Sequence, residues 1–205
     1  MIKSNIPKEF YLKDALTVAT AILGKILVRK CENEYLAGRI VETEAYIASI
    51  DKASHAFGGK RTPRVAPLYE EGGIAYVYFI YGMYSCMNVI TGPKNDAQGV
   101  LIRALEPLDG MELMSTLRFN KSYKDLKPKE ILNLTSGPGK LCKAMDINKA
   151  LTGKSLYSDE LFIYDDGFSD FNIVSRKRIG IDYAEEAKDF LWRFYIEDNK
   201  FISKK

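Results

Sequence analysis

The chain has 205 residues, 46% hydrophobic and 28% charged, with a formal net charge of +3. That balance predicts one folded domain over residues 1–205 and excludes extended disorder, and the mild positive charge permits a polyanionic partner without demanding one. Three widely spaced cysteines (Cys31, Cys86 and Cys142) form no CxxC pair, which argues against a disulfide framework or a zinc site and for a reducing cytoplasm.

Along the chain, the start MIKSNIPKEFY lacks the layout of a secretory signal. DALTVATAIL (14–23) predicts a helix capped by Asp14 with Leu16, Ala19, Ile22 and Leu23 inward. The apolar run it contains, Ala15 to Gly24, is too short to span a bilayer, so no membrane association is expected. KILVRK (25–30) and YLAGRIVETEAY (35–46) predict strands around a turn at 32–34. IAYVYFIYG (74–82) and YSCMNVIT (84–91) predict a hairpin broken at Gly82-Met83, and GVLIRALEP (99–107) a strand ended by Pro107. GMELMSTLRF and GPGKLCKAM predict helices, followed by short strands at LFIYD, FNIVS and LWRFYIE. Strands dominate and short turns join neighbours, so the fold class is α+β: a single domain with a mainly antiparallel, curved sheet flanked by helices.

Strand alternation puts Ile40, Glu42, Glu44 and Tyr46 on one face and Val41, Thr43 and Ala45 on the other. A buried face bearing two carboxylates must pair, protonate or use them; a solvated edge or salt bridges is the plainer account. Two glutamates two apart lie roughly 7 Å apart at Cα, compatible with the acid/base pair of a sugar hydrolase. Such sites want several tryptophans, however, and the chain has only Trp192. His55 is the chain's only histidine, and Lys52, Lys60, Arg61 and Arg64 cluster around it, as a solvated basic loop also would. No cysteine has the surroundings of an activated nucleophile.

SGPGK (136–140) fails the Walker pattern, because Leu134 stands where a glycine is needed and Leu141 where a hydroxyl residue is needed. It reads as a helix cap at Ser136 or Gly137, with Pro138 in the first turn and Lys140 adding charge, an arrangement that also suits one phosphate of a polymer. Tyr76 and Tyr78 share a strand face, Tyr81 falls on the other face or at the turn, and Tyr84 starts the next strand. Such a face packs a core or offers a stacking platform for bases.

Taken together, GRIVETEAY, His55 eleven residues after Glu44, GGKRTPR, YVYFIYGMYSCMN, VLIRALEP and SGPGKLCKAM resemble the alkyladenine (3-methyladenine) DNA glycosylase family of the mammalian, single-domain type. The blocks run in order from about residue 8 to residue 148, with weaker likeness through LWRFYI. The resemblance implies a monofunctional enzyme, without metal or other cofactor, that flips damaged purines from double-stranded DNA and hydrolyses the N-glycosidic bond. It implies Glu44 as the base that activates water, Arg103 as its partner, and Tyr46, His55, Tyr78 and Asn88 as the base pocket. It further implies Tyr81 as the wedge in the duplex, with Arg61, Arg64, Ser136, Gly137 and Lys140 along the DNA backbone. A monomer is expected, and no lysine stands out as a Schiff-base nucleophile. A binding module without catalysis and a hydrolase of free nucleosides are the competing classes.

Overall fold

The strand that carries the paired glutamates is also the backbone of the architecture. The computed structural model describes residues 4–32, 34–80 and 82–204. In chain order the elements are β1 (Ser4–Asn5), α1 (Lys8–Tyr11), α2 (Ala15–Ala21), β2 (Ile26–Cys31), β3 (Glu34–Ile47), β4 (Ala75–Ile80), β5 (Tyr84–Ile90) and β6 (Gln98–Asp109). Then come α3 (Met111–Phe119), α4 (Pro128–Leu132), α5 (Pro138–Ala144), β7 (Leu161–Asp165), β8 (Ile173–Arg176) and β9 (Arg193–Ile196). Among the described residues nine strands form one sheet in the order β1-β7-β2-β3-β6-β5-β4, with β9 joined to β3 and β8 to β9. Every pairing is antiparallel. The α+β expectation is met.

β3 is long enough to take two partners along one edge. Residues 34–39 pair with β2 and Glu42–Glu44 with β9, while β6 runs along the other edge. Where the partner changes, the β3–β6 register shifts between Ile40 and Glu42 and again between Glu42 and Thr43, which bends the strands. Helix α2 lies over β3: Asp14 caps it by accepting from the Thr17 amide at 2.9 Å, and the Thr43 hydroxyl donates to the Ala19 carbonyl at 2.8 Å. Ala15, Val18, Ala19, Ile22 and Leu23 are buried there in one core with Val41, Ala45, Val100 and Ile102, whereas Leu16 is only half-buried. Helix α5 packs against β5 and β6.

Pro107 does not end its strand. β6 continues to Asp109, and a register shift beside Gly38 accommodates the proline, which has no N–H to offer the ladder. Gly110 then turns the chain into α3 at φ +74°; a Cβ there would lie 2.5 Å from Leu36 Cδ2 and 2.7 Å from the Tyr35 carbonyl oxygen. Among the described residues no helix is long and apolar enough to cross a membrane.

Candidate active site

Register, more than local sequence, assembles the site. Tyr76 lies opposite Asn88, Asn88 opposite Leu101, Leu101 opposite Glu44, and Glu44 opposite Arg193. Opposed residues of antiparallel strands point to the same side, so these five form one row across five strands. On adjacent rows Tyr78 opposes Cys86, and Tyr46 opposes Gly99, which leaves space beside the ring. This face floors a cavity of about 530 Å³ onto which Glu44, Tyr46, His55, Tyr78, Asn88 and Arg103 all open. The sequence-expected catalytic and base-pocket residues thus meet in one place.

Arg103 owes its position to a bulge. The register passes from Glu42 opposite Ala104 to Thr43 opposite Ile102, leaving Arg103 without a partner on β3. Bulges re-aim side chains, and this one sets the guanidinium between two carboxylates. Nη1 pairs with Glu44 Oε1 at 3.1 Å and Nε donates to Glu42 Oε1 at 3.2 Å. Both glutamates are fully buried. Arg193 Nη1 donates to Glu42 Oε1 at 2.9 Å, so two arginines balance two carboxylates in one neutral cluster. Burial works against the charged form of Arg103, but Glu44 and Glu42 outweigh it and hold its pKa above the ordinary value. Glu44 also accepts from the Tyr46 hydroxyl at 2.8 Å and from the Ile179 amide at 2.9 Å.

The cavity walls are aromatic. Tyr76 and Tyr78 stack with centroids 5.3 Å apart, and His55 meets Tyr78 edge-on at 4.5 Å. His55 Nδ1 lies 3.2 Å from the Tyr76 hydroxyl. Burial raises the pKa of Tyr46 and of Tyr78 well above that of a free phenol, so both stay protonated. Burial, then Arg64 and Lys60, lower that of His55, which keeps the imidazole neutral at physiological pH.

The basic residues divide. Gly137 and Lys140 line the cavity; Ser136 is buried, bridges Ala104 and is not part of the lining. The cap of α5 is Gly137 itself, at φ +143°, with Pro138 following and no side-chain hydrogen bond. Lys140 Nζ donates to Asn133 Oδ1 at 2.5 Å. Burial, then neighbouring Arg118, lower its pKa. Arg61 stacks over Tyr69 at 3.9 Å and donates to Asn95 Oδ1, while the Arg64 guanidinium lies 6.0 Å from the Tyr78 ring centre. Tyr81 lies outside the described residues; Phe79, Met83 and Tyr84, close to it in sequence, are exposed.

Some members were not picked out from sequence. Tyr76 was legible in part, as the strand-face mate of Tyr78. Arg178, within the run RKR, carries no local sign of its place, and it is buried in a two-pronged ion pair with Asp51 at 2.5 and 2.7 Å. Its guanidinium sits 4.6 Å from the Tyr46 ring centre, and the next residue supplies the Ile179 amide to Glu44. Among the described residues no group of three or more His, Cys, Asp or Glu side chains could hold a metal ion.

A family model described as Methylpurine-DNA glycosylase (MPG) matches residues 9–200. A relative from Clostridium botulinum (strain Alaska E43 / Type E3) is 58% identical over 198 residues, covering 97% of this chain and 98% of its own. Another from Clostridium tetani (strain Massachusetts / E88) is 58% identical over 201 residues, covering 98% and 99%. A third from Clostridium perfringens (strain 13 / Type A) is 57% identical over 201 residues, covering 97% and 98%. All three carry the name "Putative 3-methyladenine DNA glycosylase".

Proposed function

Since the chain belongs to the methylpurine-DNA glycosylase family, whose reaction is hydrolysis of N-glycosyl bonds in DNA, we propose that its cavity receives a damaged purine swung out of the duplex and that Glu44 activates the attacking water. The observation that carries this reading is a fully buried carboxylate, fixed by two hydrogen bonds and an ion pair, on the floor of an aromatic-walled cavity.

Flipping a base costs a few kcal/mol of unstacking, which stacking in the pocket and a wedge in the duplex offset. Tyr46, His55 and Tyr78 supply the stacking surfaces, and Tyr81 is the proposed wedge. Purines alkylated at N3 or N7 are cationic, and the electron-rich ring faces attract them. Water attacks C1′ as the glycosidic electron pair leaves with the base; Glu44 takes the water proton, and the products are free base and an abasic site. A cationic purine leaves as a neutral molecule, so one carboxylate suffices where a sugar hydrolase needs two. Arg103 holds Glu44 in its orientation through their ion pair. Asn88 crowds the 2-amino group of undamaged guanine. A neutral base such as hypoxanthine needs a proton or hydrogen bonds in order to leave. Arg61, Arg64, Gly137 and Lys140 follow the phosphates, while Ser136, buried against Ala104, only leads the chain into that turn, and no cofactor takes part.

Incubation with methylated duplex DNA and with free nucleosides, followed by chromatography for free bases, tests the reading. Release from DNA alone supports it. Release from nucleosides alone would make the protein a nucleoside hydrolase, and DNA binding without release a binding module. Lys140 is the lysine on the cavity lining among the described residues, tethered to Asn133. The reading gives it a phosphate contact, so borohydride should not trap the protein on damaged DNA.

A further inference from the structure

Arg103 faces a choice between two carboxylates. A guanidinium offers five N–H groups in a rigid fork, and pairing both prongs with one carboxylate is its strongest mode. Full engagement with Glu42 through Nε and Nη2 would tilt the guanidinium and re-aim Nη1, the prong that meets Glu44. What stands in the way is a segment that follows β9 and folds back over the cluster.

Ser203 meets Glu42 through main chain and side chain together. Its amide donates to Glu42 Oε2 at 2.6 Å and its hydroxyl to Glu42 Oε1 at 3.0 Å. The same hydroxyl accepts from Arg103 Nη2 at 3.2 Å. A serine hydroxyl has one proton to give and lone pairs to receive, so it can serve both groups at once. The arginine fork is therefore spread over three partners: Glu42 at Nε, Glu44 at Nη1 and Ser203 at Nη2. The segment is pinned on either side of the serine. Ile202 is buried in the main core, and the Lys204 carbonyl accepts from Arg193 Nη1 at 2.8 Å. Upstream, Asn199 donates to Glu106 Oε2 and accepts from the Phe201 amide, each at 2.9 Å.

We infer that Ser203 is a positioning residue for base excision: by occupying Glu42 and the third prong of Arg103, it keeps that arginine turned toward Glu44. This rests on the reading of Glu44 as the base that activates water. Ser203 itself need not touch DNA or the departing purine.

The test compares single-turnover release of base from methylated duplex DNA, affinity for that DNA, and melting temperature, in the unmodified protein, S203A and S203T. S203A should slow release about tenfold, the scale of losing one hydrogen bond to a charged group, with affinity changed less than about twofold. S203T keeps the hydroxyl and should restore release to within about threefold. S203A turning over at the unmodified rate overturns the inference. So does S203A failing to fold, or losing affinity and melting temperature along with rate, since the serine would then be purely structural. A threonine variant as slow as the alanine variant overturns it too. If the unmodified protein releases no base at all, the glycosylase reading falls first and this inference with it.

Discussion

The hydroxyl of Tyr46 donates to Oε2 of Glu44 at 2.8 Å, from two residues further along the same strand face. One hydrogen bond thereby joins the wall of the pocket to the group proposed to activate water. The phenol's pKa is raised, first by burial and then by Glu44, so Tyr46 remains a donor at every pH at which the protein would work. Its ring is backed by Arg178 at 4.6 Å, which limits how far the donor can turn away.

Tyr46→Phe keeps the ring and removes the donor. A hydrogen bond to a charged acceptor contributes about 1.5–3 kcal/mol, so single-turnover excision should fall by about tenfold or more. Affinity for lesion-bearing duplex should hardly change, because the stacking surface survives. Loss of affinity with an unchanged excision step would place the role of Tyr46 in binding alone.

Glu44→Gln tests the base directly. The amide occupies nearly the same volume, and its one oxygen can stand in for Oε1 toward the Ile179 amide and Arg103 while its NH2 faces the Tyr46 hydroxyl oxygen, but it cannot take a proton from water. Excision should drop by about 10²-fold at least, the lower scale of general-base contributions, while binding to lesion DNA stays largely intact. Retained turnover would remove Glu44 from the mechanism.

How much of this was legible in the sequence depends on the range of the interactions. Alternation along 35–46 set Glu42, Glu44 and Tyr46 on one face, and the tyrosine spacing did the same for Tyr76 and Tyr78, because both patterns are local. The cap at Asp14 was equally local. The unpaired position of Arg103 was not legible, since a bulge is a property of two strands and shows only when both are in register. Nor was the bond from Ser203 to Glu42, which depends on β9 lying beside β3. Pro107 misled because a proline reads as a stop, whereas the neighbouring register shift makes room for it.

His55 offers a single-resonance experiment, since the chain has no other histidine. Burial, followed by Arg64 and Lys60, lowers its pKa from 6.5. A proton NMR titration should find the imidazole midpoint below 6.5, and Arg64→Gln should move it upward. The linkage sign follows: between the folded and unfolded pKa values the unfolded chain binds more protons, so stability rises with pH across that window. The stabilisation is complete above about 6.5, the unfolded value, and is lost as pH falls through the folded one. A midpoint above 6.5 would mean that a nearby carboxylate, rather than burial and the basic loop, controls the ring.

The Arg178–Asp51 pair should behave as a buried ion pair that cannot be broken from one side. Both side chains are fully buried, and Arg178 also donates to the Ala45 and Ala187 carbonyls at 2.9 and 3.1 Å. Arg178→Met leaves an uncompensated buried carboxylate, which costs about 3–5 kcal/mol. Asp51→Asn in the same background removes that charge and still presents an oxygen to the Ala53 amide, which Asp51 accepts at 2.9 Å. The double variant should therefore regain much of the lost stability in urea unfolding, with a coupling of about 1–3 kcal/mol between the two sites. Excision should not recover in parallel. The main chain at Arg178 carries the Ile179 amide to Glu44, and the guanidinium backs Tyr46, so a refolded double variant still lacks the group that holds both in place. Additive stability effects would show that the pair is not energetically coupled, and full recovery of excision in the double variant would show that Arg178 supports the fold and not the site.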